Sequence, residues 1–284
     1  MLYTIQHKQH IYFIGQNSHG SDESWLFRND FINKELTNTL GLILVECPTI
    51  DLIVFALRKF RKTKQGEMSY LKSSSYWWMR SMEFATFLHT LPEKACIAGI
   101  DLPLSTTQHK DYISSIRAVS LPEKNLLLEL LNFDFRNMLC MASATPEQRE
   151  VSMAEKIEIA VRLGFESIII ICHNFHATRT SWLHYPSLCQ IVARRLSKIV
   201  KITTYGLFSV KMAFIATPDG RSLTVNTVNH ACERLDNQTY KVKMISSHYK
   251  TEAHDAMELI LHTPQHFDEF VIFPEGKSLT MGLY

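Results

Sequence analysis

Five short apolar runs each lead into an ionisable or strongly polar side chain, and those side chains are the ones that could do chemistry. Ile11-Tyr12-Phe13-Ile14 passes through Gly15 to Gln16 and His19, Leu42-Ile43-Leu44-Val45 ends at Glu46, and Cys96-Ile97-Ala98-Gly99-Ile100 ends at Asp101. Ile168-Ile169-Ile170-Ile171-Cys172 ends at His173, with His176 one turn further on, and Phe270-Val271-Ile272-Phe273 leads to Glu275. A neutral imidazole can take a proton from water near neutral pH, and a neighbouring carboxylate can hold its tautomer and stabilise its charged form. A guanidinium can stabilise the oxyanion of a tetrahedral intermediate. The parts for general acid–base chemistry on a bound water are therefore present. In this reading His19 activates water, Glu46 orients it and Arg28 or Arg80 meets the oxyanion, while His173 and His176 protonate a leaving oxygen or bind substrate. Gln16 and Asp101 are the remaining candidates for substrate contact. Taken singly, each histidine more often caps a helix or satisfies a core hydrogen bond; their shared position behind strands is what singles out the set.

The elements that must position these residues follow from the same pattern. Short runs rich in β-branched residues, separated by helix-length segments, predict buried strands of a mainly parallel sheet. Ligands of open α/β sheets bind beyond the carboxyl ends of the strands. One edge is thus expected to gather His19, Glu46, Asp101, His173 and, at its limit, Glu275. After the first strand, Ser21 or Asp22 is placed to cap a helix. Trp25, Arg28, Ile32, Leu36 and Leu40 recur at three or four residues, which puts Arg28 on the buried stripe. Further helices are expected over Ile50 to Phe60, Arg80 to His89, Leu121 to Cys140, Pro146 to Leu163, Pro186 to Ser197 and Thr251 to Leu261. Extended stretches are expected at Val200 to Thr204 and Lys211 to Ala216. The basic, breaker-rich segment from Arg61 to Ser75 reads as a surface loop.

Several of these residues also carry a resemblance. Gly15-Gln16-Asn17-Ser18-His19-Gly20 with Arg28 downstream resembles the G-E-x-x-H-G opening of the erythromycin esterase family. Glu46 behind a strand, Trp78-Met79-Arg80-Ser81-Met82-Glu83, Ala98-Gly99-Ile100-Asp101, Arg149 with Met153-Ala154-Glu155, and the His173-Asn174-Phe175-His176 block follow in the family's order. The resemblance implies a mixed α/β core and a cleft where water is activated, without an obligatory metal, to open an ester or lactone. It implies one domain over 1–284, with a shortened helical insertion around 102–148. The chain departs from the family at Gln16, where a glutamate is usual. A carboxylate can take a proton and an amide can only hydrogen-bond, so a catalytically silent binding protein of the same fold is the competing expectation.

Other chemistries find less support. No G-x-S-x-G elbow is present, which argues against an ordinary serine hydrolase. His19, Glu46, His173 and His176 could bind a divalent ion, making a metal-dependent hydrolase a third possibility, but no ligand spacing is diagnostic; no metal and no cofactor are expected. Pro264 between His262 and His266 breaks a helical ligand face and points to a turn. Cys47 and Cys172, beside site residues, fit buried thiols, and six scattered cysteines without a C-x-x-C pair suit a reduced, cytoplasmic chain better than a disulfide framework. A net charge of +2 over 284 residues gives no reason to expect nucleic acid. No run approaches the roughly 20 residues that span a bilayer. The partner expected is a small-molecule substrate.

Overall fold

The computed structural model describes residues 9–19, 21–37, 39–56, 76–103, 124–137, 139–216, 224–244 and 257–281. In chain order its elements are β1 (Gln9–Gln16), α1 (Glu23–Leu36), β2 (Gly41–Pro48), α2 (Thr49–Ala56), a 3-10 turn (Trp77–Arg80), α3 (Met82–Thr90), β3 (Cys96–Asp101), α4 (Lys124–Asn137) and α5 (Pro146–Arg162). These are followed by β4 (Ser167–His173), the single turn α6 (Asn174–Ala177), α7 (Leu188–Leu196), β5 (Val200–Ala216), β6 (Thr224–Val228), β7 (Cys232–Arg234), β8 (Thr239–Met244), β9 (Met257–His262) and β10 (Glu269–Gly276).

The apolar runs form the centre of a seven-stranded sheet of order β10-β5-β1-β4-β2-β3. Every pairing along that path is parallel, and β6 adds to the far half of β5 as an antiparallel hairpin. Alternation along the strands feeds two cores. Ile11, Phe13, Leu42, Leu44, Ile168 and Ile170 face the layer of α4, α5 and α7, whereas Ile14, Ile43, Val45, Ile169 and Ile171 face α1, the 3-10 turn and α3. Burial on both faces explains why these strands read as unbroken apolar runs rather than alternating ones. Helix α5 begins with Pro146 behind Thr145, whose capping box with Gln148 satisfies the first free N–H groups. Among the described residues no helix is long and apolar enough to cross a membrane.

The structure departs from the sequence expectations in four places. The extended stretches at 200–204 and 211–216 belong to one strand of 17 residues, because its first half pairs with β1 and β10 and its second half with β6. Residues 257–261, expected within the last helix, belong to strand β9. Met257, Leu259 and Leu261 alternate with Glu258 and Ile260, and pairing with β8 lets Leu261 bury while Glu258 and Ile260 stay exposed. At the start of α1 the N-cap is Asp22, but its side chain makes no cap bond and instead accepts from the Lys277 N–H. Leu40 falls beyond the end of α1 and is exposed. The expected loop of 61–75, and the insertion between 104 and 123, lie outside the described residues.

Candidate active site

Strands β1, β4, β2 and β3 are consecutive in the sheet, so their carboxyl ends bring Gln16, His173, Glu46 and Asp101 to one edge. Two close approaches shape that edge. At Gly15 a Cβ would stand 2.1 Å from Asn174 Oδ1, so only glycine lets α6 fold back across the end of β1. At Gly99 a Cβ would stand 2.3 Å from the Cys47 carbonyl oxygen and 2.4 Å from that of Pro48, where the β2–β3 register shifts between Val45 and Pro48. That irregularity sets the direction of Glu46, as bulges beside functional sites commonly do.

Glu46 is the hub. Its Oε1 accepts from Arg149 Nη2 at 2.7 Å and from His176 Nε2 at 3.0 Å, and its Oε2 accepts from the His173 backbone N–H at 2.7 Å. Arg149 is held in turn by Asp101, through Nε at 2.8 Å and Nη2 at 2.6 Å. Asp101 also accepts from Tyr76 Oη at 3.0 Å and from the Leu102 N–H at 2.7 Å. His176 lies between two carboxylates, with Nδ1 at 2.6 Å from Glu150 Oε1.

The charge states follow from these partners. Burial alone would depress His176, but Glu150 and Glu46 outweigh it and push its pKa up to about 10, so it is an imidazolium at neutral pH. Burial alone would raise Glu46, but the neighbouring His176 outweighs it, through its charge and its hydrogen bond, and holds Glu46 well below the usual carboxylate range. Asp101 likewise is lowered against its burial, by Arg149. Every carboxylate hydrogen bond described for Glu46 and Asp101 is thus a bond to the ionised form, which is where such bonds are strongest.

His19 sits at the rim, its side chain 14% exposed. Its imidazole stacks on the Trp78 indole, with centroids 5.3 Å apart and 14° between planes, and Trp78 stacks in turn on Trp25 at 6.2 Å. Nε2 stands 3.7 Å from Glu46 Oε2. Nδ1 accepts from the Gln16 carboxamide nitrogen Nε2, and the Gln16 Oε1 accepts from Ser24 Oγ at 3.4 Å.

The other expected site residues are placed differently. His173 uses both ring nitrogens on the backbone: Nε2 donates to the Asn17 carbonyl at 2.9 Å, and Nδ1 accepts from the Phe175 N–H at 3.3 Å as the cap of α6. Arg28 is on the buried stripe of α1, with its guanidinium 4.7 Å over the Trp25 ring. It has 0% exposure and none of its three nitrogens has a hydrogen-bond partner among the described residues, so it lies beneath the site and does not line its open side. Burial lowers its pKa to about 9, against the opposing pull of Cys172, Glu23 and Glu46. Arg80 ends the 3-10 turn half-buried, and the bonds that hold the carboxylates run through Arg149 instead. Glu275 stands at the carboxyl end of β10 and makes no described contact with the Glu46 cluster. It is exposed on β10, beyond β5, and pairs with Lys211 at 2.9 Å.

Arg149, Glu150 and Tyr76 complete the cluster and do not follow a strand, so the strand-end pattern could not find them. Arg149 did carry a signal, because a cation in the first turn of a helix opposes the helix dipole and calls for a local anion. Among the described residues no group of three or more His, Cys, Asp or Glu side chains is arranged to hold a metal ion. All six cysteines are free thiols, and burial pushes Cys47 and Cys172 well up.

No protein-family model matches this chain, and no curated protein sequence matches it. Solved structures do. A succinoglycan biosynthesis protein aligns with a TM-score of 0.69 at 11% identity, over 97% of this chain and 90% of its own. A Bacillus cereus protein aligns at 0.68 and 12% identity over the same shares. The erythromycin esterase EreC, as a mutant in its open conformation, aligns at 0.56 and 12% identity over 97% of this chain and 92% of its own. At these identities the likeness is one of fold: a mixed α/β architecture around a mainly parallel sheet.

Proposed function

We propose that this chain hydrolyses an ester, lactone or related acyl bond with water activated by His19. The observation that carries the proposal is the division of Glu46 between two neighbours, with Oε2 at 3.7 Å from His19 Nε2 and Oε1 on Arg149 Nη2. A gap of 3.7 Å is too long for a hydrogen bond and suits one water touching both groups. Arg149 has two of its nitrogens fixed by Asp101 and Glu46. Its Nη1 carries no bond among the described residues, and its side chain is 23% exposed, so it can meet a substrate oxygen. The base and the oxyanion donor are thereby held by opposite oxygens of one carboxylate.

The steps balance on these groups alone. Water attacks the carbonyl carbon as its proton passes to His19 Nε2, and the resulting oxyanion meets Arg149 Nη1. When the tetrahedral intermediate collapses, the imidazolium returns that proton to the leaving oxygen. His176 acts as the fixed counter-ion of Glu46 and Glu150, since a group titrating near 10 does not give up its proton at neutral pH. His173 positions α6 and the Asn17 turn. Arg28 supports from below.

Gln16 decides whether His19 can act. With the amide oxygen toward Nδ1, that nitrogen carries the proton and Nε2 has a free lone pair. With the amide nitrogen there, as the structure has it, the proton sits on Nε2 and no lone pair is left for water, so the hydrolytic step requires the Gln16 amide to turn over and present its oxygen to Nδ1. The second orientation favours the other reading, a binding protein without turnover. p-Nitrophenyl acetate and δ-decalactone test the matter. The native protein is expected to hydrolyse at least one, and His19→Ala to lose about 10²-fold in kcat/KM with its melting temperature in place. Equal rates for the two proteins would remove His19 from the mechanism, and an inert native protein would favour the silent binder.

A further inference from the structure

We propose that Trp78 is the residue that positions His19, its indole face holding the imidazole in line with Glu46 and supporting the charge that the ring gains when it takes a proton. His19 lies in a turn three residues past the end of β1, so strand pairing does not set the direction of its ring. Its polar neighbours leave that direction loose. Gln16 of β1 reaches Nδ1, and Glu46 of β2 stands 3.7 Å from Nε2, beyond a hydrogen bond. His173 of β4, the other titratable side chain against it, is a ring tilted by 46° at 5.7 Å whose two nitrogens are spent on the backbone. Among the described residues only Trp78 meets the imidazole face to face, 14° from parallel at 5.3 Å.

The indole is itself fixed. Trp78 is buried, stacks on Trp25 at 6.2 Å and meets the edge of Phe84 at 5.3 Å and 79°. The 3-10 turn that carries it is closed by the Met79 N–H on the Tyr76 carbonyl at 3.1 Å and the Ser81 N–H on the Trp78 carbonyl at 3.3 Å. At the far end of the stack the Arg28 guanidinium lies over Trp25. A rigid column thus ends in a flat surface under His19. A cation within about 6 Å of an aromatic centroid is stabilised by the ring quadrupole, most strongly for tryptophan. The imidazolium gains that support and the neutral ring does not, so the contact favours the state formed as water gives up its proton. The effect on rate rests on the hydrolytic reading of His19; the contact between the two rings does not.

The test reads the rings directly and the rate separately. An imidazolium against an indole quenches its emission, so tryptophan fluorescence of the native protein and of His19→Ala is followed from pH 8 to pH 5, the range in which an imidazole charges. The native protein is expected to lose more emission than His19→Ala as pH falls. The other histidine–indole contact, His266 with Trp182 at 6.3 Å, is present in both proteins and cancels. In a Trp78→Phe background, adding His19→Ala should make no difference to the curve, which assigns the quenched indole. On p-nitrophenyl acetate, Trp78→Leu should lower kcat about tenfold with KM within about twofold of native, and Trp78→Phe, which keeps an aromatic face, should recover most of that loss. If Trp78→Leu does not fold, the emission curves decide. Equal curves for native and His19→Ala, or a Trp78→Phe protein as slow as Trp78→Leu, would overturn the proposal. A native protein whose emission His19 quenches but which is inert on p-nitrophenyl acetate and δ-decalactone would remove the hydrolytic reading and leave the positioning contact standing.

Discussion

At the scale of single residues, position 16 is the most consequential departure in the chain. Its side chain contacts His19 Nδ1 and lies within reach of Ser24 Oγ. A glutamate there could only accept, so it would hold the proton on Nδ1 and leave Nε2 for water. Gln16→Glu is therefore expected to raise kcat on the same two substrates while leaving KM close to native, measured beside the native protein across pH. A fall in kcat would mean that the amide, and not the tautomer, is what the site requires. The residues behind strands, Gln16, His19, Glu46, Asp101 and His173, were legible in the sequence because a buried apolar run fixes where its successor must emerge. Their partners were not equally legible. That His173 is bound to backbone on both nitrogens depends on the turn of α6, and that Arg28 is sealed over Trp25 depends on how α1 lies on the sheet; neither is written in residue spacing.

At the scale of elements, α5 reaches the sheet edge and supplies Arg149 and Glu150 from adjacent positions near its start. Glu150 reaches His176, and this link has a pH signature. The folded-state pKa of His176 is raised from 6.5 to about 10, so its stabilising contribution is complete below pH 6.5 and is lost as pH rises toward 10. In Glu150→Gln one of the two carboxylates is gone, the folded pKa falls, and the window narrows. Melting temperatures of native and variant taken from pH 6 to 10 should differ most at the acid end and converge at the alkaline end. Parallel curves would show that Glu150 does not hold the imidazolium. The parallel strands and most helices could be read from apolar periodicity. The antiparallel sheet β7-β8-β9 could not, because its three- to six-residue strands carry little pattern of their own, and tertiary pairing with β8 overrode the helical reading of 257–261.

At the scale of the whole molecule, the site edge is joined to the helical layer through one buried ammonium. Lys156 of α5 has 0% exposure and donates to the Asp101 backbone carbonyl at 2.8 Å, with Asp134 Oδ1 of α4 at 2.6 Å and Thr49 Oγ1 of α2 at 3.5 Å. Four elements therefore meet at a charge that water does not reach, directly beneath the carboxylate that clamps Arg149. Removing one member of such a pair leaves the other ionised and unsolvated, which costs about 3–5 kcal/mol, whereas replacing both by apolar residues of similar size is often neutral. Lys156→Met is expected to lower the urea-unfolding free energy by about that amount. Lys156→Met combined with Asp134→Leu should recover most of the loss, giving a coupling well above the few tenths expected of independent sites. The remaining deficit in the double variant measures what the ammonium does for the Asp101 carbonyl, the one contact the apolar pair cannot replace. If the double variant is as unstable as the single one, the carbonyl contact and not the ion pair joins the layers, and the site edge would then be expected to loosen in step, with loss of the Arg149 clamp visible in the titration of His176.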